Sequence, residues 1–270
     1  MLKDITIGQY IPGDSVVHRL DPRTKITAVV IFMTGLFLVN TVVGYASVGI
    51  FCAFVVLVSK LSPRYVMRGL RPLLLIIVIT LGIHLFFTPG QPIFHWGPLT
   101  ITLEGAKRGV FMSLRLVFLV LIASLLTLTT SPMSLTDGLE RMLRPGQKIG
   151  IPAHEIAMMM TIALRFIPTL LEETEKIMKA QMARGADFES GNFLQRAKSL
   201  LPLLVPLFIS AFRRADELAV AMEARCYRGG EHRTRMKELK LGRQDYIALA
   251  VMIGFAIYAW VSRSLTIMGW

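Results

Sequence analysis

Ile26–Ser59 reads ITAVVIFMTGLFLVNTVVGYASVGIFCAFVVLVS, 34 residues without one charged side chain. As a single helix it would rise about 51 Å at 1.5 Å per residue. That is far more than the ~30 Å hydrocarbon core that about 20 apolar residues cross. Asn40-Thr41-Val42-Val43-Gly44 in its middle has the composition of a tight turn, so the stretch reads as two short spans folded back on each other.

Working outward, Pro72–Phe87 reads as a third span, Gly109–Thr130 as a fourth and Tyr246–Val261 as the last. The whole chain agrees with this class. It is 53% hydrophobic over 270 residues, with a mean hydropathy of +0.56, too apolar for an ordinary soluble domain. The residues before Ile26 are polar and turn-rich rather than a charged start leading at once into an apolar core, so Ile26 opens a retained span, not a cleaved signal. The fold expected is all-α: a polytopic membrane bundle of about five spans with two long cytoplasmic or interfacial helices. Three regions follow: a bundle over 1–136, a charged cytoplasmic region over 137–243 and a final span over 244–270.

Lysine and arginine set the orientation. Lys3, Arg19, Arg23 and Lys25 precede the first span, and Lys60, Arg64, Arg68 and Arg71 join the second to the third. Pro89–Leu103, which holds His95 and Trp96, carries no charge. The N-terminus is therefore expected in the cytoplasm, the Pro89–Leu103 loop outside, and the C-terminus outside. Lys107, Arg108 and Arg115 lie on the wrong side of this scheme, and Arg115 is expected to pair within the bundle or snorkel. The net charge of +12 reflects this bias and attraction to anionic lipid, not nucleic acid. Cys52 and Cys226 are far apart and suggest neither a disulfide nor a metal site.

Asp137–Arg243 carries 18 basic and 13 acidic side chains, yet its helices are apolar on one side. Ile167, Leu170, Leu171, Thr174, Ile177, Met178, Gln181 and Met182 follow helical spacing, with Glu172, Glu173, Glu175, Lys176 and Lys179 opposite. A second stripe joins Phe208, Ala211, Phe212, Ala215, Leu218, Ala219 and Met222, with Arg213, Arg214, Asp216, Glu217 and Glu223 opposite. Two helices packing on each other account for part of this pattern. Each is preceded by an apolar stretch, Ile156–Leu171 and Ser199–Phe212. The first is broken by Arg165 and Pro168, the second by Pro202 and Pro206. Interfacial or bundle-packed helices suit them better than spans.

Both stripes run into the same motif. Ala180-Gln181-Met182-Ala183-Arg184-Gly185 recurs 41 residues later as Ala221-Met222-Glu223-Ala224-Arg225-Cys226. An arginine followed by a small residue suits a helix C-terminus on capping and dipole grounds alone. Repetition argues for more: small neighbours let a partner approach, and a guanidinium can clamp a carboxylate with two bonds.

Catalytic motifs are missing. There is no Gly-x-x-x-x-Gly-Lys-Ser/Thr phosphate loop, no His-Glu-x-x-His and no Gly-x-Ser-x-Gly. His18, His84, His95, His154 and His232 are scattered, and the spans lack carboxylates for an ion relay. No catalytic, cofactor or metal site is expected. Gly105 to Gly109 fits Gly-x-x-x-Gly at a span entrance, where a loop or close-packing role is favoured over dimerisation.

The assembled motifs resemble those of the transmembrane coupling (T) component of energy-coupling factor transporters, a group of ABC transporters. The N-terminal pattern is Tyr10-Ile11-Pro12-Gly13-Asp14-Ser15, then His18-Arg19-Leu20-Asp21-Pro22-Arg23-Thr24-Lys25. Thr129-Thr130-Ser131-Pro132 and Leu164-Arg165-Phe166-Ile167-Pro168 match its middle. Its two coupling motifs resemble Ala183-Arg184-Gly185 and Ala224-Arg225-Cys226, with Cys226 where glycine or serine is usual. The resemblance implies a non-catalytic scaffold in a bacterial or archaeal cell membrane. It would bind two ABC ATPase subunits through the motif arginines, bind one substrate-binding membrane (S) component, and couple ATP hydrolysis to vitamin or metal uptake. A conventional ABC permease and an intramembrane lipid-handling enzyme are the competing readings.

Overall fold

Helix follows helix along the chain. The computed structural model describes residues 10–96, 99–188, 192, 198–229 and 239–268. Lys3 and His232 lie outside these residues. The helices are α1 (Val16–Arg19), α2 (Pro22–Leu38), α3 (Val42–Ser59), α4 (Pro63–Leu70), α5 (Leu74–Phe87), α6 (Leu103–Thr129), α7 (Pro132–Leu143), α8 (Ala153–Ala183), α9 (Leu201–Ala224) and α10 (Arg243–Met268). A short antiparallel hairpin, β1 (Pro92–Trp96) and β2 (Leu99–Thr102), occupies the uncharged loop. The chain divides into two units, Gly8–Gly138 with Leu239–Trp270, and Leu139–Glu238.

In the first unit, polar caps interrupt the apolar run. Asp21 caps α2, accepting from the Arg23 amide at 2.9 Å, and Pro22 supplies the preset first turn. Thr41 caps α3, accepting from Gly44 at 3.1 Å, so the turn within Ile26–Ser59 falls at residues 39–41. Arg115 of α6 donates to the Val39 carbonyl at 3.3 Å and to Asn40 Oδ1 at 3.2 Å, serving the C-terminus of α2. This is the pairing expected of it.

The core gathers Phe32 and Leu36 from α2, Val48 and Cys52 from α3, Ile122 and Leu125 from α6, and Phe255 and Ala259 from α10. Phe32 stacks on Phe255 with centroids 5.3 Å apart, and a Cβ on Gly35 would lie 2.8 Å from the Phe255 ring. Gly105 and Gly109 bring α6 against α5: a Cβ on Gly105 would lie 2.6 Å from the His84 carbonyl oxygen. The Gly-x-x-x-Gly pair is thus a packing notch within the chain.

The outward surface is apolar. Leu75, Val78, Ile79 and Phe87 of α5 are all exposed, which water would penalise and lipid does not. Among the described residues, five helical stretches are long and apolar enough to cross a membrane: Val42–Ser59, Pro63–Phe87, Leu103–Thr129, Ala153–Ala183 and Arg243–Ser264.

That set differs from the expected one in three places. The third stretch starts at Pro63, because Arg64 and Arg68 lie on α4 rather than in an open connection. Ala153–Ala183 joins the set because α8 runs through Arg165 and Pro168 unbroken for 31 residues. The first half of Ile26–Ser59 forms α2, whose 17 residues rise only about 26 Å.

In the second unit, α8 and α9 pack antiparallel. Gln181 Nε2 donates to the Pro202 carbonyl at 3.5 Å, Arg214 pairs with Glu173 at 3.0 Å, and Tyr227 meets His154 at 3.0 Å. Ser210 also donates to Glu173. Pro206 has no N–H for the Pro202 carbonyl, and the Gln181 amide takes that place. The stripe read on α9 is rotated. Phe208 and Phe212 are 60% and 68% exposed, while Leu203, Leu207, Ser210, Ala211, Arg214, Leu218 and Met222 are covered to differing degrees.

Candidate functional site: two arginine-tipped helix ends

Helix α8 ends at Ala183, with Arg184 as its cap residue and Gly185 left-handed at φ 87°. The Gly185 amide donates to the Met182 carbonyl at 3.0 Å, and the Ala186 amide to the Gln181 carbonyl at 3.0 Å. This paired closure is the Schellman arrangement. Helix α9 repeats it residue for residue. Arg225 is the cap, Cys226 is left-handed at φ 55°, the Cys226 amide bonds Glu223 at 2.8 Å and the Tyr227 amide bonds Met222 at 3.0 Å. The sequence repeat is therefore a structural repeat.

The closure bears on the capping explanation. Backbone amides already bond the carbonyls of Gln181 and Met182, and of Met222 and Glu223. Capping accounts for the small residue after each arginine, but the guanidinium groups bond none of these carbonyls. Ala183, Arg184, Gly185, Ala224, Arg225 and Cys226 are all exposed. Neither arginine side chain has an ion pair or hydrogen bond among the described residues.

Because the helices are antiparallel, the two tips point to opposite ends of the pair. From the Gln181 level to the His154 level is about 40 Å of helix at 1.5 Å per residue.

The N-terminal signature has a different role. His18 meets Ser15 Oγ at 2.6 Å and the Ile11 carbonyl at 3.1 Å. Lys25 is buried, and its Nζ donates to the carbonyls of His18 (3.1 Å) and Thr129 (2.9 Å) and to Thr130 Oγ1 (3.1 Å). Arg23 clamps Asp21 with two bonds, at 3.0 and 2.9 Å, and the Asp21 amide donates to Asp245 Oδ1 at 2.8 Å. Asp245 in turn caps its own helix through Gly242 at 2.8 Å. The signature thus ties the starts of α2 and α10 to the end of α6. Thr129 and Thr130 of the middle motif belong to this knot, and Arg165 of the other is exposed on α8. Sequence reasoning passed over the His154–Tyr227 pair and the Glu173 cluster.

Apolar side chains exposed on α5 and five described helical stretches able to cross a membrane define the class: a multi-pass membrane protein. The family is narrower. Residues 13–236 match the CbiQ model, described as cobalt transport protein, and the chain belongs to that family. It is 60% identical over 262 residues to the energy-coupling factor transporter transmembrane protein EcfT of Thermosediminibacter oceani, covering 97% of this chain and 99% of that protein. The protein of the same name from Clostridium kluyveri is 60% identical over 250 residues, 92% of this chain and 93% of its own. The Bacillus subtilis one is 48% identical over 265 residues, 98% and 100%. These matches agree with the resemblance carried by the motifs.

Proposed function

We propose that this chain is the T component of an energy-coupling factor transporter, with Arg184 and Arg225 as the docking points for two ABC ATPase subunits. The observation that carries the reading is the pair of like-built helix ends at opposite ends of α8 and α9, each presenting an exposed arginine with no partner among the described residues. Each tip presents a fork of N–H donors among small side chains, matched to a carboxylate in a groove. Movement of the two ATPases on ATP binding would pull the tips and shift α8 against α9. The exposed apolar side of α9, with Phe208, Ile209 and Phe212, supports contact with the membrane-embedded S component, which carries substrate specificity. ATP hydrolysis belongs to the partners, and this chain transmits it. The permease and lipid-enzyme readings find no support among the relatives.

The test is co-purification of ATPase subunits with substrate uptake. Capping alone would make Arg184→Ala or Arg225→Ala cost about 0.3–1 kcal/mol of local stability and leave assembly intact. Loss of a desolvated ion-pair anchor should cost about 2–5 kcal/mol at that interface. Each single variant should keep partial assembly through the other tip, since the second contact is intramolecular. The double variant should lose both ATPases and uptake while inserting normally. A double variant that assembles and transports like the parent makes the repeat structural.

A further inference from the structure

The second unit holds a buried histidine that docking by itself does not require. His154 lies in the first turn of α8 and is 9% exposed. Its Nδ1 is 3.1 Å from Glu140 Oε1 of α7, and its Nε2 is 3.0 Å from the Tyr227 hydroxyl. With Nδ1–H donated to the carboxylate, Nε2 is left to accept the phenol O–H, so one neutral tautomer satisfies ring, acid and phenol together.

Tyr227 is also the residue whose amide closes the α9 tip on Met222 at 3.0 Å. One residue therefore completes the arginine tip with its backbone and ties that tip to α7 and the start of α8 with its side chain. The matching residue after Arg184 is Ala186, whose amide makes the same closure but whose methyl group can make no such tie. The tip tied in this way is also the one whose left-handed residue is Cys226 rather than glycine.

We propose that Glu140, His154 and Tyr227 form a latch that positions the second docking tip, tying the end that presents Arg225 to α7 and the head of α8. The inference rests on the reading that both arginines dock ATPases. It gives the second ATPase contact a direct mechanical path: motion at Arg225 passes to α7 and the head of α8. The three are positioning residues and touch no partner in this scheme.

Tyr227→Phe removes only the hydroxyl and keeps the ring. It should be made in three backgrounds of the full transporter: parent, Arg184→Ala and Arg225→Ala. The readouts are retained ATPase and uptake per ATP hydrolysed. Where Arg225 is the sole remaining dock, loss of the phenol bond should lower ATPase retention about 3- to 10-fold. Where Arg225 is already gone, the change should stay below about twofold. His154→Ala should follow the same pattern. His154→Gln, able to accept from the phenol, should recover part of the loss. Equal losses in both arginine backgrounds, or none in either, would overturn the latch. If the double arginine variant keeps its ATPases, the docking reading itself falls and takes the latch with it. If the double variant loses them while Tyr227→Phe ignores the background, only the latch falls.

Discussion

At the residue scale, Cys226 occupies a backbone position suited to glycine. Its φ of 55° crowds an L side chain against its own carbonyl, at a cost of about 1–2 kcal/mol. Cys226→Gly should therefore raise stability by about 0.5–1 kcal/mol, read as a higher midpoint of thermal unfolding in detergent. Gly185→Ala tests the other tip. A Cβ there meets nothing within 4 Å, so a loss of about 1 kcal/mol must come from backbone strain alone. An unchanged midpoint in both variants would show that the tips do not keep their left-handed residues. Gly185 was legible as a helix stop from its own sequence. The left-handed state of Cys226 was not, because cysteine alone carries no such signal and only the repeat of the preceding residues implies it.

At the element scale, the prolines and the glycines contradict simple expectation in opposite ways. Pro168 and Pro206 read as interruptions, yet α8 and α9 pass through them. A helix tolerates proline where the freed carbonyl finds another donor, and Gln181 supplies one at Pro202. Gly105 read as a packing residue, and packing is its role. Gly105→Val must push against the His84 and Leu85 carbonyl oxygens, 2.6 and 3.2 Å from the added Cβ. Backbone cannot yield as a side chain does, so a loss of about 1–3 kcal/mol is expected. Gly82→Ala on α5 meets nothing within 4 Å and should be neutral or slightly stabilising. Thermal unfolding of the two variants side by side checks this, and equal behaviour would mean that α5 and α6 do not cross at Gly105.

At the scale of the whole molecule, the open question is which ends of α8 face the cytoplasm. Length and composition make Ala153–Ala183 able to cross a membrane, while the charge of 137–243 argues that both ends stay inside. Single cysteines on a Cys226→Ser background decide it, Cys52 being buried. Gln91, exposed beside the hairpin, should label with an impermeant thiol reagent in intact cells when changed to cysteine. Lys148→Cys and Asp187→Cys, both at exposed positions flanking α8, should label only after permeabilisation. Labelling of residues 148 and 187 from opposite sides would make α8 a span. Labelling of residue 91 only after permeabilisation would invert the bundle.

The sequence by itself determined the membrane class, the turn within Ile26–Ser59 and the repeat of the arginine motif. Those follow from local properties: an uncharged run, a polar break and a spacing. Tertiary structure alone decided which side of α9 faces α8. Hydrophobicity pointed to Phe208 and Phe212, but the Arg214–Glu173 pair and Ser210 turn the other side inward. Tertiary structure also decided that the N-terminal signature is a knot around Lys25, because its partners Thr129 and Asp245 lie more than a hundred residues away. It decided, too, that Tyr227 reaches His154 across 73 residues. A hydrogen bond between distant segments leaves no periodic trace in either one, so only the folded chain brings such partners together.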